Sequence, residues 1–142
     1  MTLKELAKEV HLANYEKGFY EDYEKLVDSI SKADHLIILE NIKFGQALAL
    51  IHSELSEALE AHRTGKHFYG GGNSNGNIIS FEGEEFNSIF REFVKDTWQD
   101  EIADAFIRIL DFCGATGMDL DFHVRAKLKY NKNRPYKHGK EY

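Results

Sequence analysis

From about Glu40 to Arg63 the apolar residues Ile42, Phe44, Leu48, Ile51, Leu55, Ala58 and Leu59 recur mostly at intervals of three and four. That spacing holds one side of an α-helix apolar for several turns, which the two-residue alternation of a strand does not do. A second run of this kind extends from Trp98 to about Gly114, with Ile102, Ala105 or Phe106, Ile109, and Phe112 or Cys113 facing inward. Two long amphipathic helices need other helices to cover their stripes. Thr2 to about Glu16 supplies one, opened by a capping box of Thr2 with Glu5 and lined by Leu3, Leu6, Ala7, Val10 and Ala13 or Asn14. A weaker segment, roughly Tyr20 to Ala33, follows Gly18. Asp34 to Leu39 reads either as the start of the long helix or as a connector. Glu84 to Val94 turns Phe86, Ile89, Phe90 and Phe93 inward. Asp96 or Thr97 caps the second long helix, with Gly114 and Gly117 marking its end. Asp119 caps a last helix that runs to about Asn131 or Asn133 and cannot pass Pro135. The expected fold is all-α, an antiparallel helical bundle forming a single domain over residues 1–142. The exception is an insertion over about residues 66–83, whose Gly70–Asn77 run forms either a small hairpin across an Asn-Gly turn or a loop.

A chain of 142 residues with 42% hydrophobic and 30% charged residues has enough apolar material for a real core. Eighteen Lys and Arg against 24 Asp and Glu give a formal charge of −6, a poor balance for gripping a nucleic-acid backbone. No apolar run approaches the length of a membrane span, and the first residues lack the pattern of a signal peptide. Cys113, the only cysteine, allows no intrachain disulfide and reads as a small core residue. The cytoplasm is the expected compartment, with neither nucleic acid nor membrane as partner.

Against this background two acidic pairs stand out. Glu54 and Glu57 lie three apart in the first long helix, and Glu101 and Asp104 do the same in the second. The spacing stacks each pair on one side of its helix, at the margin of the apolar stripe rather than opposite it. One such pair alone is usually a solvated surface. Two pairs on the packing margins of two strong helices form an oxygen cage suited to a hard divalent cation, which would offset the desolvation of the acids.

The last helix carries the basic counterpart. Lys127 and Asn131 share a face, Arg134 follows, and the basic tail 134–142 adds Tyr136, Lys137 and His138. Arginine and amide donors of this kind can hold phosphate oxygens. The histidines show no zinc spacing, and no phosphate-binding glycine loop or serine-nucleophile arrangement occurs.

These motifs together resemble the MazG-like, all-α nucleoside triphosphate pyrophosphohydrolases. Glu54-x-x-Glu57 within Leu50–Arg63, and Glu101-Ile-Ala-Asp104 within Glu101–Asp111, are similar to that family's two metal motifs. Lys127-x-x-Tyr130-Asn131-x-x-Arg134-Pro-Tyr-Lys-His-Gly139 resembles the substrate-side signature of one branch, as does the Lys17-Gly-Phe-Tyr20 turn. The 43 residues between Glu57 and Glu101 exceed the family's usual spacing because of the insertion.

The resemblance implies that Glu54, Glu57, Glu101 and Asp104 bind Mg²⁺, with Mn²⁺ able to substitute. Water then cleaves an NTP or dNTP between the α- and β-phosphates, giving monophosphate and pyrophosphate. It implies that Lys127, Asn131, Arg134, Tyr136, Lys137 and His138 face the substrate, with Phe19, Tyr20, Phe68 or Trp98 stacking on the base. It also implies a homodimer or a dimer of dimers. The same acids would serve a related enzyme dedicated to dUTP or phosphoribosyl-ATP. A non-enzymatic helical interaction protein, its acids paired with Lys and Arg across a dimer, is the reading from a different class.

Overall fold

The computed structural model describes residues 1–70 and 78–134. The protein is all-α. Among the described residues six α-helices run in order: α1 (Leu3–Glu16), α2 (Glu21–Ser29), α3 (Ala33–Arg63), α4 (Gly83–Phe93), α5 (Trp98–Thr116) and α6 (Leu120–Lys132). The connector Asp34–Leu39 belongs to the long helix, which makes α3 a single 31-residue element. The Gly/Asn run that would turn a hairpin lies outside the described residues. Its flank Ile78–Ser80 is one turn of 3-10 helix rather than a strand, closed by Phe81 N–H donating to the Ile78 carbonyl at 3.1 Å. A turn of this kind meets its hydrogen bonds locally, whereas a strand would need a neighbour. No strand occurs among the described residues.

Contacts group the chain into two units that share α5. The first comprises Met1–Ser29 and the chain from Leu110 onward. Here the Thr2–Glu5 capping box opens α1 as its sequence requires. Leu110 and Cys113 are buried on the last turns of α5, and Ala7 is buried on α1. The Cys113 thiol lies 3.9 Å from the Met118 sulfur, in keeping with a core role. A Cβ at Gly114 would fall 2.4 Å from the His11 Cβ and 2.5 Å from the Ala7 carbonyl oxygen. Only the missing side chain lets α1 and α5 come this close. Gly117, with φ at 69°, then ends α5: Gly117 N–H returns to Gly114 and Met118 N–H to Cys113. The Asp119 carboxylate accepts from Phe122 N–H at 3.0 Å to cap α6 and pairs with Lys4 Nζ at 3.3 Å.

In the same unit Asp111 Oδ1 takes a hydrogen bond from the Tyr20 hydroxyl at 2.9 Å and contacts His11 Nδ1 at 2.8 Å. Burial and the Asp111 carboxylate hold the Tyr20 phenol well above its ordinary range.

The second unit, Ile30–Ile109, contains α3, the 3-10 turn, α4 and the first three turns of α5. α3 ends at Gly65 (φ 74°), where Gly65 N–H donates to His62 and Lys66 N–H to Ala61. The segment after it is fastened to the start of α5. Trp98 N–H donates to the Lys66 carbonyl at 3.2 Å, and the Gln99 amide both donates to and accepts from the Phe68 backbone. Thr97 caps α5 by accepting from Asp100 N–H at 3.3 Å.

In both long helices the inward face is turned by about one residue from the aliphatic stripe, that is by about 100°. Leu48, Leu55 and Leu59, expected inside, are exposed, while Ala58 and Ala61 are buried. On α5, Ala105 and Cys113 are buried, but Ile102 and Phe106 are exposed. Apart from Leu110, the buried residues of these helices are small or acidic, and many of the bulkier aliphatics are exposed.

Candidate metal centre

That turn brings one acid of each pair in, Glu54 and Glu101, while Glu57 and Asp104 stay exposed. Glu54 is 7% exposed beside Leu55 at 45%, and Glu101 is 8% exposed beside Ile102 at 44%. Folding driven by apolar burial alone would choose the opposite in both places. The exchange is the local signature of a site.

Glu54 comes from the C-terminal half of α3, and Glu101 and Asp104 from the first and second turns of α5. Each contributes a carboxylate oxygen, and the three lie within 4.8 Å of one another. Glu57, the fourth acid expected, is not among the three. Its charge nevertheless reaches Glu101. Asp100 lies close enough to act on both Glu101 and Asp104. Its own carboxylate is engaged at the helix cap, accepting from Asp96 N–H at 3.0 Å.

Burial, followed by the charges of Glu57, Asp100, Glu54 and Asp104, raises the Glu101 carboxyl above the ordinary glutamate range. Asp104 is raised chiefly by burial and then by Asp100 and Glu54, with Arg108 opposing. Two ionised carboxylates at such a distance repel by roughly 3 kcal/mol at an effective dielectric near 20.

Among the described residues one ion pair to these acids is formed. Arg108 Nε donates to Glu54 Oε1 at 2.6 Å. Arg108 follows Asp104 by four residues, on the same side of α5, and sequence reasoning had passed over it. The spacing from Asp104 was the available signal. The Glu101 carboxylate has neither a hydrogen bond nor a counter-ion among the described residues. Three carboxylate oxygens gathered in this way could hold a metal ion. An all-oxygen donor set suits a hard divalent ion such as Mg²⁺ or Mn²⁺ rather than zinc.

Lys127, Asn131 and Arg134 belong to the first unit, and the acids to the second. Lys127 is exposed on α6, its ammonium 5.3 Å from the Tyr130 ring centre, and with His123, Val124 and Leu128 it lines a shallow groove. Asn131 and Arg134 are exposed at the end of that helix. Tyr136, Lys137 and His138 lie outside the described residues. Of the aromatic candidates, Phe19 is exposed and Tyr20 is held by Asp111. Trp98, three residues before Glu101, donates its indole N–H to His67 Nδ1 at 2.8 Å, and the His67 ring also meets those of His62 and Tyr69. Trp98 and Phe68 are therefore the aromatic candidates fastened at the acidic end of α5.

No helix among the described residues is long and apolar enough to cross a membrane. Comparison with protein-family models, with curated proteins and with solved structures finds no match.

Proposed function

We propose that this chain is a MazG-like pyrophosphohydrolase that hydrolyses a nucleoside triphosphate between the α- and β-phosphates, giving nucleoside monophosphate and pyrophosphate. One observation carries the reading. Glu101 is a buried carboxylate with no hydrogen bond or counter-ion among the described residues, aimed at Glu54 and Asp104 on helices that bury acids in place of the adjacent Leu55 and Ile102.

In this reading Glu54, Glu101 and Asp104 hold Mg²⁺ or Mn²⁺, with Glu57 beside them. The cation, when bound, screens the triphosphate charge and makes an attacking water more acidic. The protein does the rest by position. α3 and α5 fix the carboxylates, and one of the glutamates orients the attacking water. The resemblance gives the phosphate and sugar oxygens of the substrate to Lys127, Asn131 and Arg134, with Tyr136, Lys137 and His138. One water is consumed for each α–β bridge broken. The active form is a homodimer or dimer of dimers in the cytoplasm. Whether the substrate is a broad set of NTPs and dNTPs or a dedicated one such as dUTP or phosphoribosyl-ATP is a matter of ranking, since the same acids serve each.

The test is ion-exchange product analysis over a panel of triphosphates, with and without Mg²⁺. Monophosphate plus pyrophosphate, formed only with metal and lost in Glu54→Gln and Asp104→Asn while helicity is kept, is the expected result. Diphosphate plus orthophosphate would mean a different bond and a different placement of substrate. No turnover, with no metal-induced rise in Tm, would favour a helical interaction protein. The exposed aliphatic side of α3 already suits that second reading.

A further inference from the structure

The Glu54–Arg108 pair is built asymmetrically. The Glu54 side chain is 9% exposed and the Arg108 side chain 43%. The carboxylate is fixed in the interior of its unit, while the guanidinium stands at the edge and can leave into water at little desolvation cost. The guanidinium meets one carboxylate through Nε, whereas a divalent cation at the same place answers Glu54, Glu101 and Asp104 together. Two cations on one buried carboxylate repel each other, and the one that satisfies more acids prevails.

We infer that Arg108 is the resident counter-ion of the metal-free site, displaced from Glu54 when a divalent cation binds, and that the freed guanidinium then takes a phosphate oxygen of the substrate. The inference rests on the metal reading above and adds an order of events to it. Until metal arrives Arg108 keeps the acids from pushing the helices apart. Once displaced, its planar fork of N–H donors, already at the site, matches the geometry of a phosphate. Arg108 is thus a competitor for metal and an ally for substrate, two roles that pull one substitution in opposite directions.

The experiment is calorimetric titration of Mn²⁺ into the wild-type chain, Arg108→Gln and Arg108→Lys, together with kinetics on the best triphosphate. Removing the competitor is expected to tighten Mn²⁺ binding roughly fivefold or more in Arg108→Gln. A smaller gain is expected in Arg108→Lys, which keeps the charge but not the fork. KM for the triphosphate should rise by a larger factor than kcat falls. Mn²⁺ binding equal to or weaker than wild type in Arg108→Gln would overturn the inference and make Arg108 a fixed support for Glu54. No Mn²⁺ binding by the wild-type chain would instead sink the metal reading itself. If Arg108→Gln does not fold, NMR of the wild-type arginine Nε–H groups decides. The Arg108 signal should shift and exchange faster with water as Mg²⁺ saturates, and a signal unmoved by Mg²⁺ overturns displacement.

Discussion

Gly114 and Gly45 are both helical glycines, and the structure gives them opposite meanings. A side chain at Gly114 would strike the His11 Cβ and the Ala7 carbonyl, both of them parts of α1 that cannot swing aside. Gly114→Ala should destabilise the protein by about 1–3 kcal/mol, as overpacking of a close helix contact does. Gly45 stands on an exposed side of α3 with nothing within 4 Å of where a Cβ would lie. Gly45→Ala should therefore stabilise by up to about 1 kcal/mol through helix propensity alone. Urea denaturation of the two variants checks both signs, and a stabilised Gly114→Ala would contradict the α1–α5 approach. Periodicity shows that a glycine lies in a helix, but not which other backbone passes beside it.

At the level of the helices, the exchange of aliphatic for acidic residues on α3 and α5 has a pH signature. Glu101 and Asp104 are raised above their ordinary ranges by burial and neighbouring acids, so their folded-state values exceed their unfolded ones. A group shifted in that direction favours the fold when protonated. Its contribution is complete below the unfolded value and is lost as pH rises through the folded one. With EDTA present, Tm should therefore decline as pH climbs from the ordinary carboxylate range toward neutrality. Glu101→Gln should flatten that decline and melt higher than wild type at neutral pH. Adding Mg²⁺ should raise Tm for wild type more than for the variant. A Glu101→Gln protein whose pH profile matches wild type would show that the acids are not strained by one another.

The helices themselves were legible in the chain. Thr2 with Glu5, Gly65, Thr97, Gly117 and Asp119 all act where their local chemistry places them, because caps and C-terminal glycines are decided within a few residues. The pairing of Glu54 with Glu101 and Asp104 was legible too, as spacing on two strong helices. The facing of those helices was not. Leu55 and Ile102 are better candidates for burial than their acidic neighbours by any transfer scale, and a rotation by one residue is decided by the whole packed unit. Arg108 was hidden for a related reason. An arginine four residues after an aspartate is ordinary on a helix, and its partner lies 54 positions back in the chain.

The same rotation leaves the molecule with an unused surface. At 100° per residue Ile37, Leu48, Leu55 and Leu59 fall on one side of α3, and all four are exposed. On α5, Ile102 and Phe106 are exposed four residues apart. α3 has 31 residues and so extends roughly 46 Å at 1.5 Å per residue, giving the stripe most of the length of a small domain. Monomeric proteins seldom leave contiguous apolar patches of more than a few hundred Å² in water, whereas a stable dimer commonly buries about 800 Å² per partner. A second copy is the occupant that fits best, since it brings an identical stripe. Helix faces that repeat at combined steps of three and four pack well against themselves. Leu48→Glu and Leu59→Glu place a charge in such a seam without touching Glu54, Glu101, Asp104 or Arg108. The wild-type chain should elute with the light-scattering mass of a dimer or a dimer of dimers at micromolar concentration. Each variant should shift toward the mass of one chain while keeping its helical circular dichroism. A wild-type chain that stays at the mass of one chain as concentration rises would leave the stripe to a different partner. It would also uncouple the buried acids from assembly, because their exposure is already low within a single chain.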